Sequence, residues 1–570
     1  MTALQSETAT GTGIKKPVFR EYFLFLYGFV LGAVLFFAIY GFRVFNPAEN
    51  SWIFNVSDPD IRQHYLGWCH YRNAPWSFPF CIVDSLSYPY PVSCLWTDSI
   101  PLFAVIFKLF APILPETFQY LGLYGCLSMA LTGGTAALLL KRVTEGYAGE
   151  QFIPLLGVFP FVLSFPLFQR MFYHTSLTAH YFILLSLLFW LDKAESRSLK
   201  TLCLRWGLLS LVVILIHPYL WAMVSLIAVF SLIEDCYVNR IWYRPAAVCA
   251  CLAGTAFLGL FAEGAFYGHV SASYGTGGYE SNLNTLFNPL GLGRIYSALP
   301  LETPTQYEGY GYLGLGMLIL TGLSAVLLIF ALKKRGTLRG LFRTRPKAVL
   351  FAFAALFFFV LACIPHIALG AVKLVHLPLP GLLGKIIGIF RSTGRFIWVS
   401  VYILITGAFA VLSRKGKEAL VVPAVLICVL IQLFDISGAV GERFKFFHSE
   451  FREIPTDFDD PKLMAVMDRY RHFIFTYDDL LFTMDTAYFA YLNRMTLNKF
   501  YYARNNDEDV KAELTRSMDA VREGHPAKDV IYLFNEETFK EYKSSVLHFY
   551  LIDGKILGTA EAVPGLDELK

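Results

Sequence analysis

Repeated apolar runs are the feature that most constrains this chain. They recur over positions 1–436 and are about 20 residues long, the length of helix that a bilayer core about 30 Å thick requires. Only 16% of the 570 residues are charged, against about 25% in soluble domains. Helices satisfy their own backbone hydrogen bonds inside lipid. The sequence therefore predicts an α-helical polytopic membrane protein.

We predict about eleven spanning helices from these runs. Their expected bounds are 22–43, 116–140, 152–169, 176–192, 205–217, 219–234, 246–266, 312–332, 347–370, 396–413 and 419–436. The first run is too long for the apolar part of a signal peptide, and no small-residue cleavage site follows it. We therefore expect it to be a retained span.

The short loops give the expected orientation, because Lys and Arg accumulate on the cytoplasmic side of a membrane. With eleven spans, all basic clusters fall on one side: Lys15 to Arg20, Lys141 and Arg142, Lys193 to Arg205, Arg240 and Arg244, Lys333 to Lys347, and Arg414 to Lys417. The N-terminus is then cytoplasmic. The segments 44–115, 267–311 and 371–395 and the tail after 436 are expected outside.

The apolar segment 100–114 is short and bounded by prolines, so it predicts a re-entrant or interfacial helix and not a span. After position 436 charged residues become frequent, and strand and helix patterns alternate from His472 to Ile552. This pattern predicts a second domain, 437–570, of α/β type with a largely parallel sheet.

Ten cysteines are present, and three of them, Cys69, Cys81 and Cys94, share the first outer loop. At most one disulfide can form among three thiols, and free thiols are the alternative.

The first outer loop carries the strongest candidate for chemistry. Carboxylates, aromatics and prolines are mixed in it, which is unusual for a simple connection. We predict Asp58 or Asp60 as a general base, and the alternative is that one of them only caps the helix that begins near Ile61. The expected substrate-binding residues of this loop are His64, Tyr65, Trp68 and Asp98.

Arg391 and Arg395 stand at the expected outer mouth of the tenth span. A spacing of four would put both on one helix face, where two guanidinium groups suit a phosphate or pyrophosphate. The alternative is that they anchor the helix end at the interface. The positive-inside bias disfavours plain anchors on the outer side, which supports the phosphate interpretation.

A third polar segment carries residues that suit sugar hydroxyls, and an interfacial tyrosine belt is its alternative. Its candidate residues are Glu280, Asn282, Gln306, Tyr307 and Glu308. Near the same side, His174, His180 and Glu263 are candidates to line a cavity, whereas His217 is expected to be a hydrogen-bonded turn residue before Pro218. The sequence contains no zinc-type His/Cys spacing, no Walker loop and no Gly-x-Ser-x-Gly elbow.

This arrangement resembles the GT-C superfamily of integral membrane glycosyltransferases. The resemblance rests on Ser57-Asp58-Pro59-Asp60 through Trp68, on Thr97 to Pro101, on Gln306 to Tyr312 and on the topology, and it covers the membrane part. It looks like an uncharacterised bacterial branch. It implies transfer of a sugar from a polyprenyl-phosphate carrier to a glycan, lipid or protein acceptor at the bacterial inner membrane, with no nucleic-acid partner.

The resemblance also implies roles for residues. The catalytic carboxylate of the family maps to Asp58 or Asp60, and the carrier phosphate would be held by Arg391 and Arg395. A divalent metal, Mg or Mn, is optional in such enzymes and no metal ligand is assigned. A rival interpretation is a transporter or flippase of a lipid-linked glycan, which would need polar residues through the membrane depth. A third interpretation is that the tail is a binding module and that the spans only anchor it in the membrane.

Overall fold

A computed structural model describes residues 18–192, 198–268, 278–333, 345–452, 454, 458, 460–504 and 507–569. The basic positions Lys15, Lys16, Lys193, Arg197, Lys334, Arg335, Arg339 and Arg343 lie outside the described residues. The membrane part is helical. Its longer helices are Val18–Phe45, Leu121–Thr144, Tyr181–Leu191, Leu199–Ile214, Pro218–Asn239, Tyr243–Glu263, Leu315–Lys333, Pro346–Cys363, Ile397–Lys415 and Glu418–Phe447.

The chain is thus a multi-pass membrane protein by the length and composition of its helices. Within the described ranges, eight helical stretches are long and apolar enough to cross a bilayer, and two shorter apolar helices, Thr175–Leu191 and Leu315–Ala331, accompany them. Leu199–Ile214, the counterpart of the predicted fifth span, has only 16 residues. The predicted count of eleven therefore stays a prediction.

The predicted spans differ from the observed helices in their ends and in their internal structure. The ninth predicted span, 347–370, ends as a helix at Cys363, because Pro365 follows and His366–Leu369 pairs as a strand with Val372–His376. The third predicted span, 152–169, agrees with the apolar stretch Ile153–Arg170, which is made of the three short helices Ile153–Leu156, Phe159–Val162 and Phe165–Arg170. Each of the three has a proline in its first turn, where a missing N–H costs least.

Segment 100–114 forms no long helix. It contains the helix Pro101–Lys108, whose eight residues reach about 12 Å at 1.5 Å per residue, and a turn at Ala111–Ile113. This helix is too short to cross a bilayer, which agrees with the prediction.

Glycine packing fixes the first two long helices against each other. A Cβ on Gly28 would meet the backbone oxygen of Gly133 at 2.2 Å, and a Cβ on Gly32 would meet that of Met129 at 2.3 Å. No other residue fits at such a close approach, which is how small residues bring helices together in membranes. Leu121–Thr144 consequently lies at the centre of the bundle, where it also packs on Tyr181–Leu191 and Ile397–Lys415.

The two ends of the bundle differ in chemistry. At the end that we call the basic end, Asp192 receives Arg142 and Arg205 at 3.1 and 2.7 Å, and Lys347 donates to the Trp190 carbonyl at 3.0 Å. At the opposite end, the loop end, the segments 44–120, 278–314 and 364–396 pack together under the tail. The predicted cytoplasmic placement of the basic end stays a prediction.

The tail forms a five-stranded mixed sheet. Its strands are His472–Phe475, Thr496–Leu497, Val530–Phe534, His548–Ile552 and Lys555–Thr559, and its helices are Leu480–Leu492, Asp507–Arg522 and Glu536–Tyr542. The first three strands are parallel, whereas the last two form an antiparallel hairpin that pairs with Val530–Phe534. The predicted sheet, largely parallel, did not include the strand Lys555–Thr559, which follows the tight turn at Asp553-Gly554 and makes both antiparallel pairs.

Candidate functional site

Two aspartates begin the polar site at the loop end. The helix Asp60–Asn73 starts at Asp60, and the Asp58 carboxylate accepts the Asp60 backbone N–H at 2.9 Å. One oxygen of Asp58 thus serves the helix start, which was the predicted alternative to catalysis, and its second oxygen remains for other partners. Burial, followed by the neighbouring charge of Asp60, raises the pKa of Asp58 above its usual range.

A chain of charged side chains starts from Asp60, and we call it the polar chain. Asp60 Oδ2 lies 2.8 Å from His174 Nε2, and His174 Nδ1 lies 3.3 Å from Arg170 Nη1. Arg170 Nη2 lies 3.1 Å from Glu308 Oε2, and Glu308 Oε1 accepts Arg395 Nε at 2.7 Å. The polar chain therefore joins residues from the first loop, the third apolar segment, the 301–314 loop and the start of Ile397–Lys415.

The hydrogen bonds fix the tautomer of His174. A guanidinium group only donates hydrogen bonds, so Nδ1 must be the acceptor and Nε2 must carry the proton that faces Asp60. Burial alone would raise the pKa of Asp60, but the hydrogen bond and charge of His174 outweigh it and lower that pKa. Of the two aspartates, Asp58 is therefore the stronger base.

Glu308 is a buried charge of the polar chain. Its side chain is 4% exposed and lies between Arg170 and Arg395, whose side chains are 3% and 8% exposed. Burial acts to raise its pKa, but the two arginines hold it well below the usual range for a glutamate. Glu308 is thus paired with both arginines, and the role predicted for it in binding a sugar hydroxyl stays a prediction.

A second pair, Asp98 and His217, closes the site from the side. Asp98 Oδ1 lies 3.4 Å from His217 Nε2, while His217 Nδ1 accepts the Tyr219 backbone N–H at 3.1 Å at the start of Pro218–Asn239. His217 is hydrogen-bonded in a turn, as expected. Asp98 and Ile100 both have left-handed backbones, with φ of 52° and 53°. Non-glycine residues hold this conformation at a cost, so the loop that delivers Asp98 is strained.

His64 lies between these groups and is fully buried, with neither ring nitrogen hydrogen-bonded to any described residue. Burial lowers its pKa to about 4, although Asp98 and Asp60 act in the opposite direction. A neutral imidazole with two unsatisfied nitrogens, surrounded by carboxylates, is the polar group of this site best placed to receive a ligand or a water.

The two arginines predicted to share a helix face do not do so. Thr393–Phe396 is a short turn of 3₁₀ type, and Arg391 precedes it. Arg395 is buried against Glu308 and over the Tyr219 ring at 4.7 Å. Arg391 is exposed, stacks on Tyr279 at 5.4 Å and has no carboxylate partner within the described ranges. Of the two arginines, Arg391 is therefore the one whose guanidinium group is available to bind an incoming anion.

Other predicted substrate-binding residues have structural contacts. Tyr65 accepts the Asn50 side-chain N–H at 2.8 Å, and the Trp68 indole donates to the Phe118 carbonyl at 3.0 Å. The Asn282 amide makes two hydrogen bonds of 2.9 Å with the Gly370 backbone and a third with Gln306 at 2.8 Å. Tyr65, Trp68 and Asn282 are buried and hold the loops together through these bonds, whereas Gln306 Nε2 has no partner among the described residues.

Glu280 and Tyr307 keep free polar atoms. Glu280 lies 3.3 Å from His366 Nδ1, and its Oε2 has no partner within the part of the chain described. Tyr307 is 37% exposed and packs on Tyr310. Burial, followed by the charge of Glu308, raises the pKa of Tyr307, and the charge of Asp58 adds to this effect.

The tail contributes a residue that the sequence did not single out. The Tyr501 carbonyl accepts Gln63 Nε2 at 2.8 Å, one helical turn beyond Asp60. Burial raises the pKa of Tyr501 to about 12, and the charges of Asp60, Arg391, Asp98 and Asp58 all act on its hydroxyl. Tyr501 thus lies among the predicted base, the second carboxylate pair and the free arginine.

An apolar cavity of about 520 Å³ reaches Phe390, the residue before Arg391. It is lined by Trp221, Ala222, Ser225, Leu226 and Val229 of Pro218–Asn239, Cys249, Leu252 and Ala253 of Tyr243–Glu263, Phe357, Val360 and Leu361 of Pro346–Cys363, Ile386 and Ile387 of the helix Gly381–Gly388, and by Ile364, Phe390 and Phe396. Its lining is almost entirely hydrocarbon and aromatic. Phe390 and Phe396 bring it directly against the segment that carries both arginines, so a hydrocarbon chain and an anionic group would find adjoining surfaces here.

Arg170 was not predicted from the sequence, although it links His174 to Glu308 in the polar chain. It follows an apolar run at the loop end, so the positive-inside argument that selected Arg391 and Arg395 would also have selected it.

His180 hydrogen-bonds the Tyr402 hydroxyl at 2.7 Å and is a core residue. Among the described residues, no three His, Cys, Asp or Glu side chains are grouped closely enough to hold a metal ion.

The fold and the site together define a multi-pass membrane protein with a buried ionic site at one end, covered by a small α/β domain. Residues 29–437 match the family model described as "Domain of unknown function (DUF6311)", and residues 462–560 match the one described as "DUF6311 C-terminal domain". The chain belongs to this family. A search of curated proteins finds no match.

Proposed function

We propose that this protein is a glycosyltransferase of the GT-C type that moves a sugar from a polyprenyl-phosphate carrier to a glycan, lipid or protein acceptor. The apolar cavity beside Arg391 is the observation that carries the proposal. A polyprenyl phosphate is a long hydrocarbon with an anionic end, and the cavity and the arginine match these two parts in the same order. We further propose eleven spans in the bacterial inner membrane, with the loop end outside.

In the proposed reaction Asp58 takes the proton from an acceptor hydroxyl as its oxygen attacks the anomeric carbon. The bond between that carbon and the carrier phosphate breaks, and the phosphate leaves with the bonding pair. Arg391 stabilises the developing charge directly, while Arg395 is oriented by Glu308. The raised pKa of Asp58 suits a base, since a weakly acidic carboxyl is the better proton acceptor.

The position of the charged groups favours an enzyme over a transporter. The polar chain, Asp98 and His217 all collect at the loop end, whereas a transport path would need such groups through the membrane depth. An anchor for the tail would need none of these buried ion pairs.

The test compares Asp58→Asn and Asp60→Asn with wild type in membranes of a deletion strain whose surface glycans are profiled. Asparagine still accepts the Asp60 N–H, so Asp58→Asn preserves the helix start and removes only the charge. We expect transfer to fall by about 10²- to 10⁴-fold in Asp58→Asn. The control is Asp84→Asn, an exposed carboxylate of the same loop.

Unchanged glycans in both Asp58→Asn and Asp60→Asn, with normal folding, would reject the catalytic assignment. The transporter alternative then predicts that the lipid-linked glycan of the deletion strain accumulates on the cytoplasmic face.

A further inference from the structure

Two cysteines of the first loop face each other across a small hairpin. Ile82 and Val83 pair antiparallel with Ser93 and Val92, so the next pair in this register is Cys81 opposite Cys94. The Cys94 backbone N–H donates to the Cys81 carbonyl at 2.8 Å, which extends the pairing to these two residues. Opposed residues of an antiparallel pair have Cα atoms about 4.5–5.5 Å apart, within the range of about 4.4–6.8 Å that disulfides bridge.

The third cysteine of the loop has a different environment. Cys69 lies in the helix Asp60–Asn73 and is fully buried beside Tyr65. We infer that Cys81 and Cys94 form a disulfide in the mature protein and that Cys69 stays a thiol. The inference rests on the proposed placement of the loop end outside the cytoplasm, where disulfides persist, and not on any transfer activity.

The bond would stabilise the strained loop of the site. Cys94 begins the short turn Cys94–Thr97, which leads directly into the left-handed Asp98. Both strands of the hairpin are fixed to the end of Tyr243–Glu263, because Phe80 N donates to the Ala262 carbonyl at 2.8 Å and Ser93 Oγ, next to Cys94, donates to the Glu263 carbonyl at 2.6 Å. A covalent link between the two strands of the hairpin would hold Asp98 against His217 and restrict the conformations available to the loop.

The chemistry requires an exchange partner. A hydrogen bond with the Cys94 thiol, together with burial, holds the pKa of Cys81 well above its usual range, so the folded pair contains little thiolate. Oxidation therefore precedes burial, by exchange with the disulfide of a thiol oxidoreductase. Both cysteine sulfurs lose a proton and together two electrons, one S–S bond forms, and the partner disulfide is reduced to two thiols.

Differential labelling in the full-length protein tests this inference. Membranes are quenched in acid and denatured, free thiols are blocked with one maleimide, and a second maleimide is added after reduction. We expect peptides with Cys81 and Cys94 to carry only the second label and the peptide with Cys69 only the first. Cys69 is the internal control, because it is equally buried and must become accessible on denaturation.

The variant Cys94→Ser supplies a second measurement. It leaves Cys81 without its partner, so Cys81 should change from the second label to the first. The first label on both Cys81 and Cys94 in the wild type would overturn the inference, as would the second label on Cys69. Labelling measures no sugar transfer, so failure of the proposed function would leave this result unchanged.

Discussion

At the scale of single residues, the polar chain illustrates how a buried charge depends on its partners. Glu308 neutralises two buried arginines at once, and each of them would otherwise be a desolvated cation near the membrane surface. Replacing a whole buried ion pair with apolar groups is often tolerated, but removing one partner leaves an uncompensated charge. The stability of this site therefore depends mainly on the Glu308 carboxylate, which lies between the two arginines.

We expect Glu308→Gln to lower the free energy of unfolding by about 3–5 kcal/mol, the usual cost of breaking a buried ion pair. Thermal unfolding in detergent measures it. The matched control is Glu302→Gln, in the same loop but half-buried and without an ion pair among the described residues. Equal melting temperatures for the two variants would mean that water already screens the arginines.

His64 predicts a dependence of stability on pH. Its pKa is lowered to about 4 in the folded protein, whereas an unfolded histidine titrates near 6.5. As the pH falls from about 6.5 to about 4, the unfolded chain binds a proton that the folded chain refuses, so stability is lost over this window. The loss approaches a value on the order of 3 kcal/mol.

His70 is a natural comparison, because burial lowers its pKa to about 4 as well, but both of its ring nitrogens are hydrogen-bonded. Melting temperatures at about pH 7.5 and about pH 5 should differ less in His64→Gln and in His70→Gln than in wild type. Only the His70 variant should also be destabilised at the higher pH, since it alone loses satisfied hydrogen bonds. An undiminished pH effect in both variants would contradict the assignment.

At the scale of elements, the structural features that can be predicted from the sequence are those that depend on a local pattern of residues. Apolar windows located a helix near every expected span, because length and composition alone decide which segments suit a bilayer. Strand pairing in the tail and the ion pair of Arg170 with Glu308, 138 positions apart, depend on the tertiary fold. Asp58 and Asp60 could be selected from their loop, but their different partners could not, because His174 comes from another segment.

The apolar cavity leads to a prediction at the same scale. Val360→Trp adds bulk to its lining on the helix Pro346–Cys363, whereas Phe353→Trp alters an exposed position of that helix outside the lining. We expect the affinity of purified protein for a long-chain polyprenyl monophosphate to fall about tenfold or more in Val360→Trp, a loss of about 1.4 kcal/mol, and to stay unchanged in Phe353→Trp. Equal affinity in both variants would exclude this cavity as the site of the chain.

At the scale of the whole molecule, the tail is part of the fold and not an appended module. Its edge strand is continued by the first loop, since Tyr88 N donates to the Leu497 carbonyl and Leu497 N to the Ser85 carbonyl, both at 2.7 Å. Such pairing covers a sheet edge that would otherwise be open to association. Further along, Ala503 N donates to the Trp96 carbonyl at 2.8 Å, so the segment with Tyr501 is held over the site from both sides.

These contacts predict that the tail stays bound when its covalent connection is cut. A protease site inserted after Glu450, an exposed position between the last long helix and the tail, allows the purified protein to be cleaved. We expect the tail to coelute with the membrane part even at about 1 M salt, where charges are screened beyond about 3 Å. The hydrogen bonds between the tail and the membrane part are mostly between uncharged groups. The ion pair of Arg62 with Asp485, at 3.7 Å, is a minor part of these contacts. Release of the tail at low salt would instead mark it as a separate module, and Tyr501 could then not be a fixed wall of the site.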